Sequence, residues 1–298
     1  MILLNTRLYG DIASKLAVLP FKKGRSRTLI RPNGDLYLQI QEKLKNEVVW
    51  VMGSSLSRQN QFMECLLLID AAKRAGAKKI EMIAPYFAYL RQDRIYQAGE
   101  PLSAHLVIDL FYKAGAHRIF CLDPHSRLVQ KKFKSKWVSL NSAFIFAEYF
   151  KKKQDILNYT IVAPDQGAQS RCRTLAKQLS LGPIFSLKKK RLSPTRVKMV
   201  PPKQIPKIKQ AIIFDDEIAT GETFIQTLKF LKEMKVKNIY LAATHALFKE
   251  IHLQKMLKYD IKKIILTESH PLFQIKHPKI TRLSIEKHLY KQLKPYFS

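Results

Sequence analysis

Short apolar runs alternate with longer stretches of helical periodicity along this chain, and the alternation occurs in two successive series. Residues 48–52, 79–84 and 118–122 read as strands. Residues 61–75 and 103–114 read as helices, the first with Phe62, Leu66, Ile69 and Ala72 on one side. The second series runs from a strand at 159–163 through a helix across 171–179, a strand at 183–187 and another at 211–214. A helix carrying Phe224, Leu228 and Leu231 and a strand at 238–243 follow. Strands that alternate with helices pair in parallel through right-handed crossovers. The predicted fold is therefore α/β, with two domains, each a mainly parallel sheet flanked by helices. The boundary is predicted near 138–142, before a helix at 143–152, giving domains of 1–140 and 141–279. The two halves are consistent with one βα architecture used twice.

A length of 298 residues suits two domains, and 46% hydrophobic residues is ordinary for a chain with packed cores. No apolar run approaches bilayer length, and the opening MILLNTRLYGD has too short an apolar core for a secretory signal, so a soluble, cytoplasmic protein without a membrane partner is expected. Cys65, Cys121 and Cys172 are far apart and form no CxxC pair, so neither a disulfide framework nor a zinc site is suggested. Each reads as a small buried apolar residue. The formal charge of +30 would attract nucleic-acid phosphates by counterion release. The lysines are nevertheless scattered through 131–136, 151–153, 188–191, 203–209 and the last third, with no zinc-finger spacing, basic zipper or RNP signature. Nucleic-acid binding is the minority reading.

Ligand-binding residues of parallel sheets lie beyond the carboxyl ends of the strands, and the polar clusters of this chain share that address. PYFAYLRQDR (85–94) follows the 79–84 strand, and DPH (123–125) follows 118–122. PDQGAQSR (164–171) follows 159–163, and KKKR (188–191) follows 183–187. The most informative cluster is FDDEIATGET (214–223), which places two carboxylates and a small-residue loop between a strand and a helix. Thr220, Gly221, Glu222 and Thr223 stand where the unpaired N–H groups of a helix N-terminus meet a phosphate. Asp215 and Asp216 are acceptors suited to vicinal ribose hydroxyls or a bridging ion. Phosphate at one end and hydroxyls at the other describe a pentose phosphate.

The remaining clusters fit a nucleotide reaction. Arg91 and Arg94 suit polyphosphate oxygens, and Tyr86, Phe87 or Tyr89 suit base stacking. His125 and Asp165 suit direct or water-mediated contact with magnesium. Lys189 and Arg191 suit charge developing on a transferring phosphoryl group. Plainer readings stand beside each: RQDR as a solvated turn with an internal ion pair, His125 as a hydrogen-bonded structural residue, KKKR as an exposed charge run.

Taken in order, PYFAYLRQDR, GEPLSAHLVIDLFYKAGAHRIFCLDPH, VAPDQGAQSRCRTLAKQL and IFDDEIATGET resemble the successive signatures of ribose-phosphate pyrophosphokinases, with RPNGDLYLQI (31–40) and THALF (244–248) in place as well. The resemblance implies two phosphoribosyltransferase-like domains. It also implies transfer of the β,γ-pyrophosphoryl group of ATP to the C1 hydroxyl of ribose 5-phosphate, with Mg2+, giving phosphoribosyl pyrophosphate and AMP. By position it implies ATP contacts from Asn33, Gly34 and Asp35 of a neighbouring subunit and from Arg91 and Gln92. It further implies metal-site roles for His125 and Asp165, catalysis by Lys189 with Arg191 beside it, and a ribose-5-phosphate site of Arg191, Asp215, Asp216 and residues 219–223. A homo-oligomer of dimers assembling into hexamers is implied, as is a final helical segment (280–298) completing the first domain. Absence of a GxxxxGKS or GxxxxGKT loop agrees with the family, which holds ATP differently.

Several positions depart from the family pattern: Asn33 and Asp35 for Asp and Glu, Ile95 for lysine, Pro124 before His125, Lys131 and Lys132 in a contact segment, and Ala219 for aspartate. The stretch 192–202 is also short for the mobile catalytic loop. A diphosphotransferase acting on another ribosyl 5-phosphate ester and a non-catalytic binding homologue are the alternative readings.

Overall fold

The computed structural model describes residues 1–18, 20–56, 60–191, 197–200 and 205–297, without the side chains of residues 127, 189–191 and 197–200. Two compact units result, Met1–Leu140 with Glu286–Ser298, and Asn141–Ile285.

The first unit contains β1 (Ile2–Asn5), α1 (Gly10–Leu16), β2 (Lys22–Lys23), β3 (Ser26–Ile30), β4 (Leu36–Ile40), β5 (Val48–Met52), α2 (Gln61–Arg74), β6 (Lys79–Ala84), α3 (Ser103–Ala114), β7 (Arg118–Leu122), α4 (Arg127–Lys132) and β8 (Trp137–Leu140). The second contains α5 (Ala143–Phe150), β9 (Tyr159–Ala163), α6 (Gln169–Gln178), β10 (Phe185–Ser186), β11 (Lys188–Arg191), β12 (Val197–Val200), β13 (Gln210–Ile218), α7 (Glu222–Glu233), β14 (Lys237–Ala246), α8 (Glu250–Leu257), β15 (Ile261–Thr267) and β16 (Ile280–Leu283). The last helix, α9 (Glu286–Leu293), belongs to the first unit.

The sheets run β2-β1-β5-β6-β7-β8 and β10-β9-β13-β14-β15-β16, with every pairing parallel. Both therefore follow one plan: the second strand lies outside the first, and the remaining four extend from the first strand's other side. Each unit also inserts an antiparallel hairpin between its second and third sheet strands, β3-β4 in the first and β11-β12 in the second.

Alternation along β13 explains why its apolar run is continuous. Ala211 and Ile213 pack with Phe224, Leu228 and Leu231 of α7 and with Leu253 and Met256 of α8. Ile212 and Phe214 pack instead with Phe146 and Phe150 of α5 and Leu175 of α6. A strand covered on both faces needs apolar residues at successive positions, and full burial of a side chain such as Phe214 contributes about 1.5–3 kcal/mol. The three cysteines are buried within these cores. Burial pushes their thiols up, so they act as packing residues.

Aromatic packing attaches the C-terminal segment to the first unit. Phe297 meets Phe21 at 4.9 Å and Trp50 at 5.8 Å between ring centroids, and Tyr296 meets Phe120 at 4.9 Å. Leu289 and Leu293 of α9 are fully buried, and Lys15 of α1 pairs with Glu286 at 3.4 Å.

Candidate active site

In the second unit the strand order reverses at β9, so β9 and β13 diverge at their carboxyl ends and leave the crevice where open α/β sheets bind ligands. Asp165 follows β9, and Asp215 and Asp216 lie near the end of β13, with residues 219–221 leading into α7. One correction concerns β13. The sequence reading ended the apolar run of this strand at Phe214 and set the two aspartates against the following loop, whereas the ladder with β14 continues to Ile218, which pairs with Ala246. The carboxylates are thus held on strand backbone.

Arg171, from the first turns of α6, reaches both. Its Nη1 donates to Asp215 Oδ1 at 2.7 Å and to Asp216 Oδ1 at 2.5 Å. The two carboxylates are 13% and 4% exposed, and one guanidinium serves both. Burial, followed by the charge of Asp216, raises Asp215 well above the usual carboxylate range against the opposing pull of Arg171, and Asp165 adds to the rise. Asp165 Oδ1 accepts from the N–H of Ala168 at 3.1 Å, which shapes the turn into α6. Sequence reasoning included Arg171 in a cluster but gave it no role. The available signal was an arginine on the helix following the β9 loop, opposite an aspartate pair.

The loop after β13 leads directly into the amino end of α7. Gly221 caps α7 with φ 74°. A Cβ there would lie 3.1 Å from Met256 Sδ, so both backbone conformation and space favour glycine. Thr220 and Glu222 are exposed, and Ala219 and Thr223 are half-buried, beside a helix end whose first N–H groups lack intrahelical partners. Gly221→Ala is expected to cost about 1–2 kcal/mol in urea unfolding, from a left-handed non-glycine residue, and to weaken ribose-5-phosphate binding severalfold. Unchanged values of both would remove the cradle from the site.

In the first unit the structure joins two predicted clusters. Asp93, buried at the centre of RQDR, accepts from Arg94 Nε at 2.8 Å and from Ser126 Oγ at 2.6 Å, tying residues 91–94 to the loop carrying His125. Burial opposes ionisation of Asp93, but the hydrogen bonds from Arg94 and Ser126 and the nearby Arg94 and His125 outweigh it and hold the carboxyl below its usual range. Gln92 Oε1 accepts from Ser103 Oγ at the start of α3. Arg91, Gln92 and His125 are exposed. Two expectations are narrowed here. Arg94 pairs with Asp93, in keeping with the plainer reading of RQDR, while its side chain stays half exposed. Phe87 is 3% exposed and packs on Phe111 and Trp137, so it is core rather than a stacking platform, and Tyr86 is also buried. Tyr89 alone of the three is exposed, at 37% with φ 67°. Asp93, Ser103 and Ser126 were not singled out from the sequence, because their partners are distant along the chain.

The two inserted hairpins carry the other predicted residues. Asn33, Gly34 and Asp35 form the exposed tip between β3 and β4. Asn33 Nδ2 donates to Asp35 Oδ2 at 2.6 Å, and Gly34 has φ 87° with open space where a Cβ would stand. KKKR, expected in a loop, is strand β11, paired antiparallel with β12 so that Lys189 lies opposite Met199 and Arg191 opposite Val197. The side chains of Lys189 and Arg191 lie outside the described residues, as does most of the 192–202 segment. Their Cα positions are two strand steps apart, about 7 Å. Among the described residues no three His, Cys, Asp or Glu side chains converge as a metal cluster, and no helix is long and apolar enough to cross a membrane.

Comparison with known proteins gives one consistent answer. Residues 4–115 match the profile of the N-terminal domain of ribose phosphate pyrophosphokinase, and residues 131–277 match that of the phosphoribosyl transferase domain. The ribose-phosphate pyrophosphokinase of Aquifex aeolicus is 34% identical over 85% of this chain and 81% of its own length. That of Oceanobacillus iheyensis is 34% identical over 94% of this chain and 88% of its own. Among solved structures, phosphoribosylpyrophosphate synthetase from Mycobacterium smegmatis superposes with a TM-score of 0.87 at 28% identity, covering 99% of this chain and 98% of that one.

Proposed function

Because this chain belongs to the ribose-phosphate pyrophosphokinase family, we propose that it transfers the β,γ-pyrophosphoryl group of ATP to the C1 hydroxyl of ribose 5-phosphate. The C1 oxygen attacks the β-phosphorus, the bond from that phosphorus to the α,β-bridging oxygen breaks, and AMP leaves with the bridging oxygen. The hydroxyl proton passes to solvent. The observation that carries this reading is the arrangement of the Asp215–Asp216–Arg171 triad next to the Gly221 cradle, because it offers hydroxyl acceptors and a phosphate pocket on one strand-loop-helix unit.

In this reading residues 219–223 hold the 5-phosphate, and Asp215 and Asp216 take the ribose hydroxyls. Arg171 holds these carboxylates in place and opposes the rise in the Asp215 pKa. Arg91 and Gln92, the latter held by Ser103, bind ATP. The exposed 33–35 tip serves the adenine of a neighbouring subunit's ATP, for which its open surroundings are suited. Lys189 and Arg191 offset charge developing on the transferring group. Magnesium carried with the ATP phosphates supplies charge neutralisation. Asp165 suits it as an oxygen donor, and His125 suits a position mediated by one of the waters that this ion retains. The enzyme is read as a cytoplasmic homo-oligomer.

Purified protein supplied with ATP, magnesium and ribose 5-phosphate is expected to form AMP and phosphoribosyl pyrophosphate in equal amounts. Absence of AMP with every ribosyl phosphate tried would overturn the proposal.

A further inference from the structure

Lysines that look scattered along the sequence are gathered in part by the fold of the second unit. Its sheet strands are parallel, so they all begin at one edge, and the helices that lead into them end there. Lys152 lies between α5 and β9, Lys235 between α7 and β14, and Lys258 between α8 and β15, while Lys209 precedes β13 and Lys237 opens β14. These five and Lys262 of β15 are exposed, and among the described residues none of the six is in an ion pair. Asp155 and Asp260 are the acidic residues of the same turns, too few to offset them. The edge lies opposite the crevice that holds Asp165, Asp215 and Asp216 at the carboxyl ends of the strands.

Local geometry sets these residues in a row. The Lys237 N–H donates to Lys209 O at 3.1 Å, which brings together two lysines far apart in sequence. Both ladders of β14 shift register at its start: Gln210 and Ala211 pair with Lys237 and Ile239, and Ile239 and Tyr240 pair with Ile261 and Lys263. Asn238 and Lys262 are the extra residues, and such irregularities re-aim a side chain. Both are exposed, and Lys262 Nζ lies 5.6 Å from the ring centroid of the buried Tyr240, which holds it at the sheet edge. Adjacent strands are about 4.8 Å apart, so Lys209, Lys237 and Lys262 span about 10 Å across β13, β14 and β15. Lys235, just after α7, has φ 58°. Glycine or asparagine usually takes this left-handed position after a helix, so a lysine is kept there against its backbone preference. Strain of that kind marks functional positions.

We propose that this edge of the second unit binds double-stranded RNA through its phosphate backbone, independently of base sequence. Lysines without carboxylate partners on neighbouring turns neutralise successive phosphates and release their counterions. The side chains present suit the backbone rather than the bases. Every cation in the turns 151–158, 205–209, 234–237 and 258–263 is a lysine, which lacks the planar fork of arginine that reads a base edge. Tyr259, the one aromatic residue of these turns, is half-buried, so a single strand finds no stacking platform. Asn158 and Asn238 are exposed beside the lysines, and their amides offer donors and acceptors to the 2′-hydroxyls that distinguish RNA from DNA.

Fluorescence anisotropy of a labelled RNA duplex, titrated with the full chain between about 50 and 200 mM salt, tests the assignment without relying on turnover. The parent protein is expected to bind the duplex, more tightly than a DNA duplex or an RNA single strand of the same sequence, and to lose affinity steeply as salt rises. The variant Lys209→Gln/Lys237→Gln/Lys262→Gln is expected to lose at least about tenfold in affinity and to flatten the logarithmic salt slope by about 2–3, with turnover and thermal midpoint unchanged. Lys43→Gln/Lys113→Gln/Lys134→Gln removes the same charge from exposed positions of the first unit and is expected to cost less than about threefold. Arginine at positions 209, 237 and 262 keeps the charge and should keep both affinity and slope, which separates charge from fold. No binding by the parent, equal losses in the two glutamine variants, a DNA duplex or single strand bound as tightly as duplex RNA, or binding confined to vesicles of anionic lipid would each overturn the proposal.

Discussion

Lys189→Ala is expected to lower the rate of AMP formation about a thousandfold, the scale seen when a cation facing a transferring phosphoryl group is removed. The mechanism leaves little covalent work to the protein, and rate comes from positioning and charge. Loss of the ammonium should therefore fall on kcat, with the KM for ribose 5-phosphate nearly unchanged, because the cradle at 219–223 is a separate element from β11. The thermal midpoint should stay that of the parent, as Lys189 belongs to a two-stranded hairpin outside the six-stranded sheet. Lys189→Arg should recover part of the rate, since charge is kept and only its geometry altered. Wild-type turnover in Lys189→Ala would show that the catalytic cation lies elsewhere.

Arg171→Met is expected to destabilise the chain by about 3 kcal/mol in urea unfolding at neutral pH, because it leaves two buried carboxylates facing each other without their shared cation. The effect has a definite pH dependence. Asp215 already has a raised pKa in the folded state, so the native protein binds its proton more tightly than the unfolded chain does. The corresponding stability is present at low pH and declines as pH rises through the folded value. Removing the guanidinium raises that value further. Arg171→Met should therefore lie closer to the parent near pH 5 than at pH 8, and Arg171→Met/Asp215→Asn should recover most of the loss. An equal deficit at both pH values would mean that Arg171 acts by packing alone. Turnover should collapse in the single and double variants, because each disrupts the carboxylate pair proposed to take the ribose hydroxyls.

Local pattern carried much of the fold. Residues 48–52, 79–84, 118–122 and 159–163 needed only their apolar runs and flanking polar loops, and the structure begins and ends those strands there. Local pattern erred where neighbouring strands decide. Asp215, Asp216 and Glu217 are poor strand formers taken singly, yet the long β14 extends the ladder past them to Ile218. KKKR looks like a solvated run but gains strand conformation from β12. Phe87 was ambiguous for a related reason: Phe111 and Trp137, distant along the chain, bury it.

The sequence by itself determined the α/β class, the two βα series, the strand-loop-helix order around residues 214–223 and the family, because periodicity and motif spacing are recorded in neighbouring residues. Tertiary structure alone decided that Arg171 would join Asp215 and Asp216, from 44 and 45 residues away. It also decided that Asp93 would tie RQDR to Ser126, 33 residues on. Such groupings depend on how strands are ordered in a sheet, and that order follows from burying both faces of each sheet at once.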